Sequence, residues 1–213
     1  MIDMIEISGK SVTIATILVL IGIMLVSGFV LQDAFKEPKA IFKEGPLKKN
    51  KELQLLPNEE YKYAYYFNDS QLNITYQIVA GKNCTVIRFM ESTPYSEICI
   101  DKWGLDPTGS NSTYADPTIM IFKPWMLAVE ENWAWNTTLY IEFDGAITRV
   151  SDMNLRVMRT ENYRGRKSFV VEISSDDGVN KEYQWIDAEK RILLKIKEEI
   201  YELELVSGLP FED

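Results

Sequence analysis

Histidine is absent from this chain of 213 residues. Its absence excludes a Ser-His-Asp or Cys-His catalytic unit and any His-ligated metal, and removes the side chain that most often moves protons near neutral pH. Cysteine is nearly absent too: Cys84 and Cys99 are the only two. That is too few for a four-cysteine zinc or cluster site, so a disulfide and two buried thiols are the readings left. Basic residues are in deficit over most of the chain. Residues 1–56 hold seven Lys and six acids, whereas the remainder holds 16 basic and 26 acidic residues, a net charge of -10. Such a domain repels phosphate backbones and anionic headgroups, so no nucleic-acid partner is expected. No metal site and no cofactor are expected either.

Charge is also missing from Val12 to Leu31, VTIATILVLIGIMLVSGFVL, which has no amide side chain or proline. As a helix the run spans roughly 30 Å, the thickness of a hydrocarbon core, and is expected to cross a bilayer. It is too long for the apolar core of a signal peptide, its leading residues are hardly basic, and no clean small-x-small site follows. The expected organisation is a membrane anchor helix at 1–32, a Lys/Pro-rich linker at 33–57 and an extracytoplasmic β-rich domain at 58–213. Pro38, Gly45, Pro46 and Pro57 exclude a continuous helix from the linker. The stretch GKSVTIATILVLIGIMLVSG resembles the N-terminus of archaeal type IV pilin-like proteins, in which a polar leader precedes an apolar assembly helix. That resemblance implies cleavage near Lys10 and Ser11 and a filament role for the helix.

The lysines after the helix, taken alone, would keep this flank in the cytoplasm. Five N-x-S/T sequons point the other way, at Asn68, Asn73, Asn83, Asn111 and Asn136, all after the helix. Chance placement of 11 Asn and 25 Ser plus Thr gives about 1.3. Long domains translocate whatever their flanking charge, so the expected topology is single-pass, N-terminus in the cytoplasm and a glycosylated domain outside. Abundant Lys and Glu with few Gln point to a thermophilic, archaeal source.

From Tyr61 onward the pattern alternates as half-buried strands do. Leu72, Ile74, Tyr76 and Ile78 share one face, with Asn73, Thr75 and Gln77 on the other. TVIRFM at 85–90 and EICIDKW at 97–103 form a hairpin turning at Ser92, Thr93 and Pro94. Cys84 and Cys99 lie on its two arms, close enough to pair in an oxidising compartment. Residues 104–118 are turn-formers throughout. The apolar stretch 119–129, IMIFKPWMLAV, contains Pro124 and reads as a short strand or turn followed by a helical turn. Its Met120, Phe122, Trp125, Met126 and Leu127 either line an apolar ligand pocket or plug the core.

The last 80 or so residues read as an antiparallel meander. Strands fall at 132–143, 154–161, 167–174 and 182–187, and a hairpin of RILLKIK and IYELELV ends it. A turn at Glu198 and Glu199 sets Ile196 opposite Tyr201, Leu194 opposite Leu203 and Lys195 opposite Glu202. The fold class expected is mainly β: one transmembrane helix, then a curved antiparallel sheet (half-barrel or meander) with a short helical segment. In strand rhythm this half is similar to extracytoplasmic proteins built on the lipoprotein-carrier half-barrel. The similarity rests on Tyr163 to Gly165, Phe169 to Ile173, Asp177-Gly178, Trp185 to Asp187 and Leu193 to Lys195. It implies a curved sheet whose concave side holds a helix or an apolar ligand, and it carries over no catalytic residue.

An enzyme is not expected. The acidic pairs Glu130-Glu131 and Asp176-Asp177 sit at turns, where carboxylates are ordinarily solvated. The leading expectation is a non-catalytic membrane glycoprotein, an accessory or structural subunit of a membrane or cell-surface assembly. Its partners would be the lipid bilayer and either a protein partner or further copies of itself. An anchored module for lipid or another apolar ligand comes second, and a pilin-like filament subunit third. No sequon lies beyond Asn136, which leaves residues 151–207 as the glycan-free region for a partner.

Overall fold

The structure, a computed structural model, describes residues 39–42, 48–68, 70–91, 96–105, 114–115, 120–143, 146–175 and 181–211. The run Val12–Leu31 and the pilin-like stretch lie outside the described residues, among which no helix is long and apolar enough to cross a membrane. The described strands are β1 (Lys39–Phe42), β2 (Glu60–Phe67), β3 (Ser70–Ala80), β4 (Thr85–Phe89), β5 (Ser96–Ile100), β6 (Tyr114–Ala115), β7 (Ala134–Phe143), β8 (Ala146–Tyr163), β9 (Arg166–Ser175), β10 (Lys181–Asp187), β11 (Leu193–Lys197) and β12 (Tyr201–Ser207). They form one open antiparallel sheet in the order β5-β4-β3-β2-β12-β11-β10-β9-β8-β7-β1-β6. Two meanders, β2 to β5 and β7 to β12, are joined by the ladder between β2 and β12, where Tyr63 faces Leu205. The chain is mainly β, and the helical element among the described residues is a 3-10 turn at Pro124–Ala128.

Alternation sets the two faces. Tyr61 and Tyr63 on β2, Ile74, Tyr76 and Ile78 on β3 and Ile87 on β4 are buried on the inner face. Leu72 shares that parity yet is exposed, because β3 runs on past the core. β10 to β12 add Ile186, Ile196, Leu203 and Leu205. The final hairpin differs from the register expected of the sequence. Ile196 faces Leu203 and Lys197 faces Glu202, a slip of two residues. The turn is longer than expected, with the Glu198 N–H donating to the Tyr201 carbonyl at 3.0 Å. A slip of two keeps every side chain on its own face. Lys195 therefore still reaches Glu202 diagonally, Nζ to Oε1 2.6 Å.

Residues 39–213 cluster as one unit; within the stretch 33–57 the described residues form β1, paired with β7, and an extended strap from Lys48 to Pro57. Prolines exclude a helix there but not an extended chain with sheet and loop partners. The strap's Asn50 N–H donates to the Leu127 carbonyl (3.1 Å) and its Leu53 N–H to the Lys102 carbonyl (2.8 Å). Leu55 is buried in the core. Two lysines of this stretch cap carbonyls: Lys49 Nζ that of Trp103 (2.8 Å) and Lys51 Nζ that of Ala188 (3.0 Å).

Segment 120–129 fills the inner side. Phe122, Trp125, Met126 and Leu127 are buried in the main hydrophobic cluster, and half-buried Met120 packs against it. Of the five candidates for an apolar pocket, four therefore lie in the hydrophobic cluster and Met120 at its border. Because the segment is buried without belonging to the sheet, its backbone needs other partners. The Met120 N–H donates to the Tyr76 hydroxyl (3.1 Å), and the Ile121 carbonyl accepts from the Leu193 N–H (2.8 Å). The Val129 carbonyl accepts from the buried Arg191 Nη1 (2.6 Å). Tyr63, also fully buried, donates its hydroxyl to the Leu193 carbonyl at 2.6 Å.

Cys84 and Cys99 form a disulfide with Cα atoms 5.7 Å apart. A Cβ at Gly81 would meet Cys84 Sγ at 2.4 Å, so that position needs glycine for the close approach.

Two stability measurements follow from this packing. Met126→Ala, which empties a fully buried site, should lower unfolding free energy by about 2–5 kcal/mol in urea denaturation. Replacing both cysteines by serine should cost up to about 3 kcal/mol, the loop-closure value for a separation of 15 residues.

Candidate binding groove on the outer face

On the outer face, opposite segment 120–129, β8, β10 and β11 border an open groove of about 410 Å³, lined by Arg159, Glu161, Tyr163, Tyr183, Trp185, Lys195 and Lys197. A β-bulge creates its β8 wall. Val157 pairs with Val171 and Arg159 with Val170, leaving Met158 as the extra residue. Continued alternation from Arg156, which is outer and bonded to Glu172, would have sent Arg159, Glu161 and Tyr163 into the core. The bulge turns all three outward.

The other walls come from direct cross-strand pairs, Tyr183 with Lys197 and Trp185 with Lys195. The aromatic tips are anchored. Trp185 Nε1 donates to Glu161 Oε1, Tyr183 donates its hydroxyl to Glu172 Oε2 at 3.0 Å, and the Tyr163 hydroxyl donates to Glu204 Oε1. Tyr163 and Trp185 lie with ring centroids 6.3 Å apart. Lys195 Nζ sits 5.9 Å from the Trp185 ring and 6.0 Å from that of Tyr163, within cation–π reach, while bonded to Glu202. Arg159 Nε meets Glu161 Oε2 at 2.6 Å. Lys197 is exposed and has no ion pair among the described residues.

These pairings tune the acids. Burial alone would raise Glu161, but the hydrogen bonds from Trp185 and Arg159 outweigh it and hold the carboxyl below the usual glutamate value. Glu172 behaves alike: burial raises it, and the bonds from Arg156 and Tyr183 bring it below that value. Burial and the bond to Glu204 push the Tyr163 hydroxyl well up, so it stays protonated as a donor.

The structure distributes the other candidate residues as follows. Asn68, Asn73, Asn83 and Asn136 are exposed, Asn73 with its carbonyl oxygen accepting from Gln71 at 3.3 Å. Asn111 lies outside the described residues, as does the Asp176-Asp177 pair. Glu130 accepts from Asn50 (3.1 Å), and the exposed Glu131 meets Lys167 at 3.3 Å. Among the described residues no group of three or more His, Cys, Asp or Glu could hold a metal ion. Sequence reasoning named Tyr163, Trp185 and Lys195 only for strand rhythm and pairing, and assigned none of the groove residues to a site. Their signal was the broken alternation at Met158, after which charged residues occupy positions that the preceding period would bury.

No family model matches the chain, and no curated protein matches it. Among solved structures it is similar to the hypothetical lipoprotein YmcC from Escherichia coli (K12), with a TM-score of 0.36 and 11% identity over 73% of this chain and 91% of that one. So loose a likeness identifies neither a family nor a function.

The depressed acids give a pH dependence. Glu161 and Glu172 bind a proton more weakly folded than unfolded, so their stabilisation is complete above the ordinary value of 4.5 and is lost as pH falls through the lower folded values. Glu198, raised by burial and by Glu182, works in the opposite sense. The thermal midpoint should fall between pH 6 and pH 3, and Glu172→Gln should lower it at pH 6 while shrinking that fall; calorimetry across the range checks both.

Proposed function

We propose that this chain is a non-catalytic membrane-anchored glycoprotein, an accessory or structural subunit of a membrane or cell-surface assembly. In this reading Val12–Leu31 spans the bilayer, the N-terminus is cytoplasmic and the β-domain is outside. The observation that carries it is the Cys84–Cys99 disulfide, which belongs to an oxidising compartment. The exposure of Asn68, Asn73, Asn83 and Asn136 adds support, because an attached glycan needs solvent around it. The absence of histidine and the solvated setting of Glu131 favour a binding or scaffolding role over catalysis.

Carriage of an apolar ligand on the inner face is less favoured, since Phe122, Trp125, Met126 and Leu127 occupy that space themselves. Mass spectrometry of the native full-length protein tests the proposal. The expected result is a disulfide-bonded chain with an intact N-terminus and added hexose mass; free thiols without glycan would overturn the orientation. Extraction in mild detergent should recover a stoichiometric partner or a homo-oligomer, whereas a lone monomer would count against the subunit role.

A further inference from the structure

The outer groove combines an aromatic floor with a polar rim that both donates and accepts. A pyranose ring is amphipathic in the matching way: its C–H face lies against an aromatic ring, and its hydroxyls need donors and acceptors around the edge. Half-buried Tyr183 supplies the open part of the floor, beside Tyr163 and the buried Trp185, over which Lys195 lies. Arg159 and Glu161 keep further donors and lone pairs beyond their mutual bond. The volume of about 410 Å³ lies within the range of small-ligand sites, about 300–1,000 Å³.

The charges narrow the ligand further. Three cations, Arg159, Lys195 and Lys197, line the groove against one acid, Glu161, in a domain that is otherwise strongly acidic. The cation position over Trp185 and Tyr163 is already taken by Lys195, which leaves no seat for a cationic ligand. Lys197 is the spare charge, directly opposite Tyr183 on the neighbouring strand. An aromatic ring beside an uncommitted ammonium suits a sugar ring that bears a carboxylate.

We propose that this groove binds a carboxylate-bearing saccharide, such as one containing a hexuronic or sialic acid. The sugar ring packs against Tyr183, and its carboxylate faces Lys197. The inference rests on the outward orientation proposed above, since such saccharides belong to cell surfaces and their surroundings. Lys197 anchors the charge, and Glu161 and Arg159 bond the hydroxyls.

The test is binding of the full-length protein, in detergent, to an array of acidic and neutral oligosaccharides, followed by calorimetric titration with trigalacturonic acid and with any acidic oligosaccharide that scores. Binding confined to carboxylate-bearing sugars is expected, weakened at least tenfold by Lys197→Glu and by Tyr183→Ala at an unchanged thermal midpoint. Lys197 is exposed, so its substitution decides the matter even if loss of the Tyr183 bond to Glu172 unfolds the second variant. No binding, binding to neutral sugars alone, or equal binding by Lys197→Glu overturns the assignment. If the native protein carries glycans and the disulfide, that failure leaves the orientation standing. Free thiols and an unglycosylated chain remove the orientation whatever the array reads.

Discussion

A buried backbone must find partners, and in this fold the demand is concentrated in residues 120–129. A strand could have answered it through the sheet, but Pro124 lacks an N–H and the chain passes instead through a 3-10 turn. Partners come from far apart in sequence: the Tyr76 hydroxyl, the Leu193 N–H, the Asn50 N–H and Arg191. Arg191 carries the largest cost, being a buried cation at φ 62°. Burial pushes its guanidinium down, countered by the charges of Asp187 and Glu130, and its Cζ lies 5.0 Å from the centroid of the Phe169 ring. The turn from Asp187 to Ile192 exists to deliver it. Asp187 fixes that turn by accepting the Glu189 and Lys190 N–H groups at 2.9 and 2.6 Å.

The two faces of the sheet consequently have different work. Segment 120–129 packs its side chains on the inner face, where the Tyr63 and Tyr76 hydroxyls hold backbone and the Tyr61 hydroxyl donates to Glu59 Oε2 at 2.7 Å. Tyr63 and Tyr76 also meet edge to face at 5.8 Å. On the outer face the aromatics are instead held at their tips by carboxylates, which leaves the groove between them open. The bulge at Met158 lets one strand serve both faces, with Leu155 and Val157 packing inward before it and Glu161 and Tyr163 lining the groove after it.

Much of the sheet was legible because alternation was clean. Ile74, Tyr76 and Ile78 declare one face of β3, and the cysteines on adjacent arms made pairing feasible. What escaped was whatever broke the period or came from far away. The bulge at Met158 reverses the polarity of the strand after it. The final hairpin was displaced by two residues because faces alone do not distinguish registers that differ by a whole pleat. The strap through Asn50 and Leu53 reads as linker because three lysines open it and a proline ends it, and its bonds to residues 127 and 102 depend on tertiary contacts alone. The composition of 119–129 suited both pocket and core, and the partners that hold its backbone, Tyr76, Leu193 and Arg191, lie too far off in sequence to be read from it.

The ladder between β2 and β12 has a kinetic meaning. The first meander gains its inner neighbour only when β12 arrives, since Tyr63 pairs with Leu205 and its hydroxyl awaits Leu193. Contacts of such sequence separation require loop closure before they return any energy, and chains that depend on them fold slowly. Until β12 has been made, then, one border of β2 stays unpaired, rich in tyrosine and open to intermolecular pairing. A chain without β12 would lose more than seven residues' worth of sheet: the two meanders would part.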